Sequence, residues 1–270
     1  MKLRATLPIR QLLSAILGVL TLTASPLTLA QTTAAPAGPV GSDYVLMKPA
    51  VAGAPASELR GVLVTGMTGR SVMIKNATGE VGYDIAQIQE IRKAAPPEFA
   101  KAQQLVESGD FAGALPLIKG IAEKFKGLPI VWAQDATSML GNIFLSLDKI
   151  PEAETAINAY ETAYRGTTAS GAGVAKARLA AAKKRFGEAK GIASSIVEGA
   201  LSRKTVTRAE SQIFGQGYFV LGQCAESEGK LAEAMENYAR TVAVFYHERS
   251  VVKEAEKRID ELRKKGVTTP

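Results

Sequence analysis

The stretch "YFVLGQCAESEGKLAEAMENY", residues 218–238, decides how the chain is read. A large apolar residue and Leu221-Gly222 precede a polar run, and Ala234 and Tyr238 follow it. Its second half, Lys230-Leu-Ala-Glu-Ala234, is one of four versions of a single phrase. The others are Asp110-Phe-Ala-Gly-Ala114, Lys149-Ile-Pro-Glu-Ala153 and Arg185-Phe-Gly-Glu-Ala189. Each closing alanine has a small residue twelve positions earlier: Ala102, Gly141, Ala177 and Gly222. Apolar residues stand three after the first small residue (Leu105, Phe144, Ala180, Ala225) and four after the second (Ile118, Ile157, Ala193, Tyr238). The alanines are 39, 36 and 45 residues apart, a period of 34 with short insertions at the joins. A recurrence at this period marks stacked units rather than one irregular core.

The spacing predicts two antiparallel helices per unit. The turns fall at Gly109-Asp110, Asp148-Lys149, Lys184-Arg185 and Gly229-Lys230. Small residues are expected where the two helices come closest, with Ala102 facing Ala114, Gly141 facing Ala153, Ala177 facing Ala189 and Gly222 facing Ala234. Larger groups there would force the helices apart at roughly 1–3 kcal/mol. The bland alternative is an irregular bundle with chance alanines, which the shared twelve-residue offset disfavours.

Tyr218-x-x-Leu221-Gly222-x-x-Ala225 with Ala234 and Tyr238, and Thr137-x-x-Leu140-Gly141-x-x-Phe144 with Ala153 and Ile157, resemble the tetratricopeptide repeat. The units at 96–128 and 170–203 lack leucine-glycine, so three or four complete repeats both remain open. Lys126, Arg165, Leu201 and Tyr246 stand where the family places a late proline. The resemblance covers about 95–250 and implies an α-solenoid with a concave, partner-binding surface. "SVVKEAEKRIDELRKKG" (250–266) sets Val251, Ala255, Ile259 and Leu262 on one stripe. That suits a capping helix with a polar outer face. A coiled-coil strand is the alternative.

Upstream of about residue 95 the pattern changes. "ELRGVLVTG", "RSVMIKN", "GEVGYD" and "IQEIRK" read as strands, with turns at Gly66–Gly69 and Asn76–Gly79. Two hairpins in series predict a small antiparallel sheet curled into a half-open barrel over 43–94, similar to SH3-like or Sm-like units. Tyr44–Met47 is a short apolar run ahead of it. The fold class is thus α+β, mainly α: a small β-domain, then a helical-repeat domain over 95–266. Residues 31–42 ("QTTAAPAGPVGS") read as a flexible spacer. Residues 1–30 carry Lys2, Arg4 and Arg10, the apolar run "LLSAILGVLTL" and small residues before Ala30. This predicts a signal peptide cleaved after about Ala30, with periplasmic or secreted localisation. The run is too short for a bilayer span of ~20 residues, so no stable membrane anchor is expected after cleavage. An uncleaved anchor is the alternative.

The net charge of +7 falls to +4 once those three basic residues are removed. That is too weak for a nucleic-acid surface. His247 and Cys224 are the only His and Cys, which excludes an ordinary zinc site, and neither has an evident catalytic set around it. Cys224 reads as a buried apolar residue. Gly61-x4-Gly66 has the spacing of a phosphate loop, but Met67 stands where lysine is required. Glu152 and Glu154 read as solvated carboxylates, and Asn76-Ala-Thr78 as a turn. No catalytic residue, cofactor or metal is expected.

The resemblance puts the residue after each Gly/Ala on the concave surface: Gln103, Asn142, Arg178 and Gln223. Amides and a guanidinium suit hydrogen bonding to a peptide backbone. One turn earlier stand Phe99, Ser138, Val174 and Phe219, where a carboxylate-clamp lysine would be needed. Phe99 and Phe219 would offer apolar contacts instead. The expectation is a non-enzymatic scaffold that binds a protein partner. The alternatives are an accessory factor that positions a cell-envelope or peptidoglycan enzyme, and a self-assembling structural protein. The oligomeric state is not decided by these residues.

Overall fold

The computed structural model describes residues 41–165, 170–201, 205–246 and 249–268. The expected signal peptide, nearly all of the spacer, and His247 lie outside them.

Among the described residues five strands come first: β1 (Asp43–Met47), β2 (Ser57–Thr68), β3 (Ser71–Asn76), β4 (Gly79–Asp84) and β5 (Ile88–Arg92). All pairings are antiparallel, in the order β4-β3-β2-β1-β5. The apolar run at Tyr44–Met47 is therefore a strand, and it fills the place between β2 and β5. β2 is shared: residues 57–62 pair with β1 and residues 63–68 with β3. The register slips opposite Gly61, whose φ of 66° is a left-handed conformation that costs glycine least. That bend turns one long strand into two half-sheets and curls the layer. Alternation then buries Val45, Val62, Val64, Val72, Ile74, Ile88 and Ile91 on one face.

Among the described residues nine helices follow: α1 (Pro97–Ser108), α2 (Phe111–Phe125), α3 (Val131–Ser146), α4 (Ile150–Ala163), α5 (Ser170–Ala182), α6 (Phe186–Leu201), α7 (Arg208–Ser227), α8 (Leu231–Ala243) and α9 (Arg249–Lys264). Pro97 opens α1, where a missing N–H costs nothing. Asp110 caps α2 by accepting from Gly113 N at 2.8 Å. Thr207 and Glu210 form a reciprocal capping box on α7. The first eight helices pack as four consecutive hairpins.

The repeat is visible in backbone geometry. Gly109, Asp148, Lys184 and Gly229, each five before its alanine, have φ of 83°, 57°, 59° and 73°. The next residue's N–H bonds back to the first helix each time: Asp110 to Leu105 O, Lys149 to Phe144 O, Arg185 to Ala180 O and Lys230 to Ala225 O, at 2.8–2.9 Å. This is the helix-ending left-handed turn made four times, twice without glycine. The array is a helical-hairpin repeat.

All eight small residues are buried, and a Cβ on Gly141 would come within 3.9 Å of Ala153 O. A Cβ on Gly141 would lie 2.7 Å from Ile157 Cγ1, and one on Gly222 would lie 2.5 Å from Tyr238 Cε1. The first small residue makes room for the side chain sixteen positions on, which comes from the second helix's next turn. Ala102 and Ala177 stand at the same offset from Ile118 and Ala193. Ala114, Ala153, Ala189 and Ala234 are fully buried as well.

The sheet and the first hairpins share one apolar core running from Val45 to Ile143. At the junction Gly66 approaches the end of α2, where a Cβ would lie 2.7 Å from Lys124 O. Trp132 donates to Lys93 O at 2.9 Å, and Lys93 pairs with the buried Asp43 at 2.9 Å. At the other end α9 buries Val251, Ala255, Ile259 and Leu262 against α8 and α7, as a cap. It also lies alongside α1, so the first and last helices touch.

Candidate functional site

The first helix of each later hairpin contributes to one concave cavity of about 570 Å³. Its floor is Phe219, with Leu145, Ile150 and Phe186 on the walls. Phe219 is 2% exposed and packs on Tyr238, ring centroids 5.6 Å apart. Around this apolar base stand Arg178, Lys184 and Arg258, and Asp148, Glu226 and Glu254. The cavity is amphipathic, with charges of both signs.

Arg178 anchors one wall. It is 9% exposed, and its guanidinium donates to Asn142 Oδ1 at 3.3 Å and to Ser146 Oγ at 3.1 Å. Asn142 Nδ2 donates to Gly171 O at 3.4 Å. The polar row thus ties α3 to α5, and its members orient one another. Gln223 lines the cavity from α7.

The opposite wall is built by α9. Arg258 donates to Glu226 Oε2 through Nε at 3.1 Å and pairs through Nη2 at 2.6 Å; its Nη1 bonds Glu261 at 2.7 Å. Tyr238 Oη donates to the same Glu226 oxygen at 3.1 Å. Burial opposes the Arg258 charge, yet the Glu226 hydrogen bond and charge raise its pKa above the ordinary value. Burial, and then the Glu226 carboxylate, raise the Tyr238 hydroxyl. Arg258 therefore stays charged, Tyr238 stays neutral, and the link between α7, α8 and α9 holds across the neutral range.

Of the six residues expected on the concave surface, Arg178, Gln223 and Phe219 line the cavity and Asn142 supports it. Gln103 is exposed on α1, away from the cavity lining. Phe99 is 6% exposed and packs beside Trp132, ring centroids 6.4 Å apart, so it belongs to the core shared with the sheet. Glu226, Glu254 and Arg258 were not anticipated. The i, i+4 pair Glu254/Arg258 on the predicted cap was the available signal.

Cys224 is wholly buried, with its thiol on Phe186 O at 3.6 Å, and burial raises its pKa to about 11. A thiol so placed is no nucleophile at neutral pH. Among the described residues no group of three or more His, Cys, Asp or Glu could hold a metal. No described helix is long and apolar enough to cross a membrane.

No family model and no curated protein matches the chain. Among solved structures, "MamA 41-end from Desulfovibrio magneticus RS-1" is similar at a TM-score of 0.37 and 15% identity. The match covers 63% of this chain and 96% of that one.

Proposed function

We propose that the chain is an exported, non-enzymatic scaffold that captures a protein partner in the concave cavity. The observation that carries this reading is the cavity itself. An apolar floor at Phe219 is ringed by side chains of both charges, held in place by hydrogen bonds between helices. Such a surface recognises an apolar side chain flanked by polar groups, which is the chemistry of a peptide segment. Because α9 supplies the far wall, the partner enters as a projecting segment or chain end rather than as a strand running the length of the array. The β-domain, SH3-like or Sm-like in the half-open form of its sheet, completes the first hairpins' core and caps the N-terminal end. Export rests on the pattern at 1–30.

A photo-crosslinker at Gln223 tests the proposal in the native cells. It should capture the protein that co-purifies with the intact chain, and Gln223→Trp, which fills the cavity, should abolish co-purification. Undiminished capture by the Trp variant would overturn the cavity assignment. Turnover of envelope polymers by the purified chain would overturn the non-enzymatic reading.

A further inference from the structure

The face of the array formed by α2, α3 and α4 carries a second groove, away from the concave cavity. Its floor is Leu140 and Phe144 on α3; its walls are Ala122 on α2 and Ala156 on α4. This part holds about 400 Å³. A second recess of about 560 Å³ adjoins it, lined by Met67 and Arg70 near the β2–β3 turn, by Ile85, and by Asn158 and Thr162 on α4. Lys126 and Ala159 line both, so the two recesses adjoin at Lys126.

The two ends differ in chemistry. The inner part is apolar at its base, and its rim charges balance, with Lys119 paired to Glu123 at 3.8 Å. The outer part is lined by Arg70 and Lys126 and by no carboxylate. Asp84 stands near Arg70 at 3.7 Å, a loose and exposed pair, and Lys126 pairs with no carboxylate among the described residues. Lining positions on α4 run from Pro151 to Ala163, which at the helical rise is about 18 Å.

We infer that the two adjoining recesses act as one channel that binds a single-chain anionic amphiphile, its hydrocarbon tail over Leu140 and Phe144 and its carboxylate between Arg70 and Lys126. An elongated apolar trough with a few polar groups at one end is the usual build of a small-ligand site. The unbalanced positive charge at the mouth selects an acidic head over a neutral or cationic one. The recess exists because Gly66 lets β2 approach α2, which brings the β2–β3 turn up to α4.

Titration calorimetry of the folded chain with dodecanoate, below its micellar concentration, tests this. Saturable one-to-one binding is expected, with dodecyltrimethylammonium at least about tenfold weaker. Lys126→Glu and Arg70→Glu should each weaken dodecanoate by about tenfold or more. Thr155→Trp, at an exposed lining position, or the smaller Ala159→Leu should block the tail; circular dichroism checks that each variant is folded. Gln223→Ala, in the concave cavity, should leave dodecanoate binding unchanged. The inference is overturned if dodecanoate does not saturate, if the cationic amphiphile binds equally well, or if the folded channel variants bind as the parent does. An effect of Gln223→Ala equal to that of Lys126→Glu would place the amphiphile in the other cavity and also overturn it.

Discussion

Gly222→Ala tests the packing rule that generates the array. The added Cβ would lie 2.5 Å from Tyr238 Cε1, 2.6 Å from Cδ1 and 3.0 Å from Cζ. The ring cannot swing aside: Tyr238 is wholly buried, packs on Phe219 and is tied through its hydroxyl to Glu226. Overpacking costs roughly 1–3 kcal/mol, and contact with two ring atoms at once places this case at the upper end. Better helix propensity returns up to about 1 kcal/mol. The expected net loss is about 2 kcal/mol. Gly120→Ala in α2 is the control, because a Cβ there meets nothing within 4 Å. It should gain up to about 1 kcal/mol, so the same chemical change has opposite signs at the two positions. Urea unfolding followed by circular dichroism at constant m-value measures both. Tyr238→Ala alone should cost about 3–5 kcal/mol. In the double variant, which copies the Ala177/Ala193 combination of the third hairpin, Gly222→Ala should no longer destabilise. Stabilisation by Gly222→Ala on its own, or simple additivity with Tyr238→Ala, would refute the packing rule.

Other outcomes follow from the turns and the buried groups. Lys184→Gly should stabilise by about 0.5–1 kcal/mol, because a lysine at φ 59° bears left-handed strain that glycine does not; loss of stability in urea would contradict the turn geometry. Asp148→Gly should gain less, since Asp tolerates that conformation better. Cys224 should react with Ellman's reagent orders of magnitude more slowly than in urea at pH 8, and its rate should climb only as pH approaches about 11. Hydrogen bonds from Lys190 and then Lys230 lower the Glu228 carboxyl to about 2 from an ordinary 4.5. A lowered carboxylate stabilises the fold fully above the ordinary value, and that contribution fades as pH falls from about 4.5 through 2. Acid titration of Glu228→Gln should therefore show a shallower loss of stability in that window.

Much of the array was legible because its determinants are local. A turn phrase, a small residue and a large one sixteen positions on lie within one hairpin, so spacing exposes them. The four turns were located by polarity, yet their common left-handed backbone was hidden, since Asp148 and Lys184 stand where Gly109 and Gly229 do. Elements that depend on distant partners were harder to read. Tyr44–Met47 becomes a strand through Arg60 and Arg92, residues remote in sequence. Phe99 falls in the concave frame, but the neighbouring sheet and Trp132 bury it. The cavity's far wall escaped notice because a stripe on α9 shows that the helix packs, not that it bends back across the array.

The contact between α9 and α1 has a consequence for how the chain comes apart. In a linear array each unit touches only its neighbours, so terminal units can fray while the middle persists. Here the two ends share a seam. Neither can peel away without breaking it, and deleting α9 would uncover α1 at the opposite end of the sequence. The hairpins should then unfold as one cooperative unit rather than unit by unit, and shortening the chain at its C-terminus should loosen amide protection in its first hairpin.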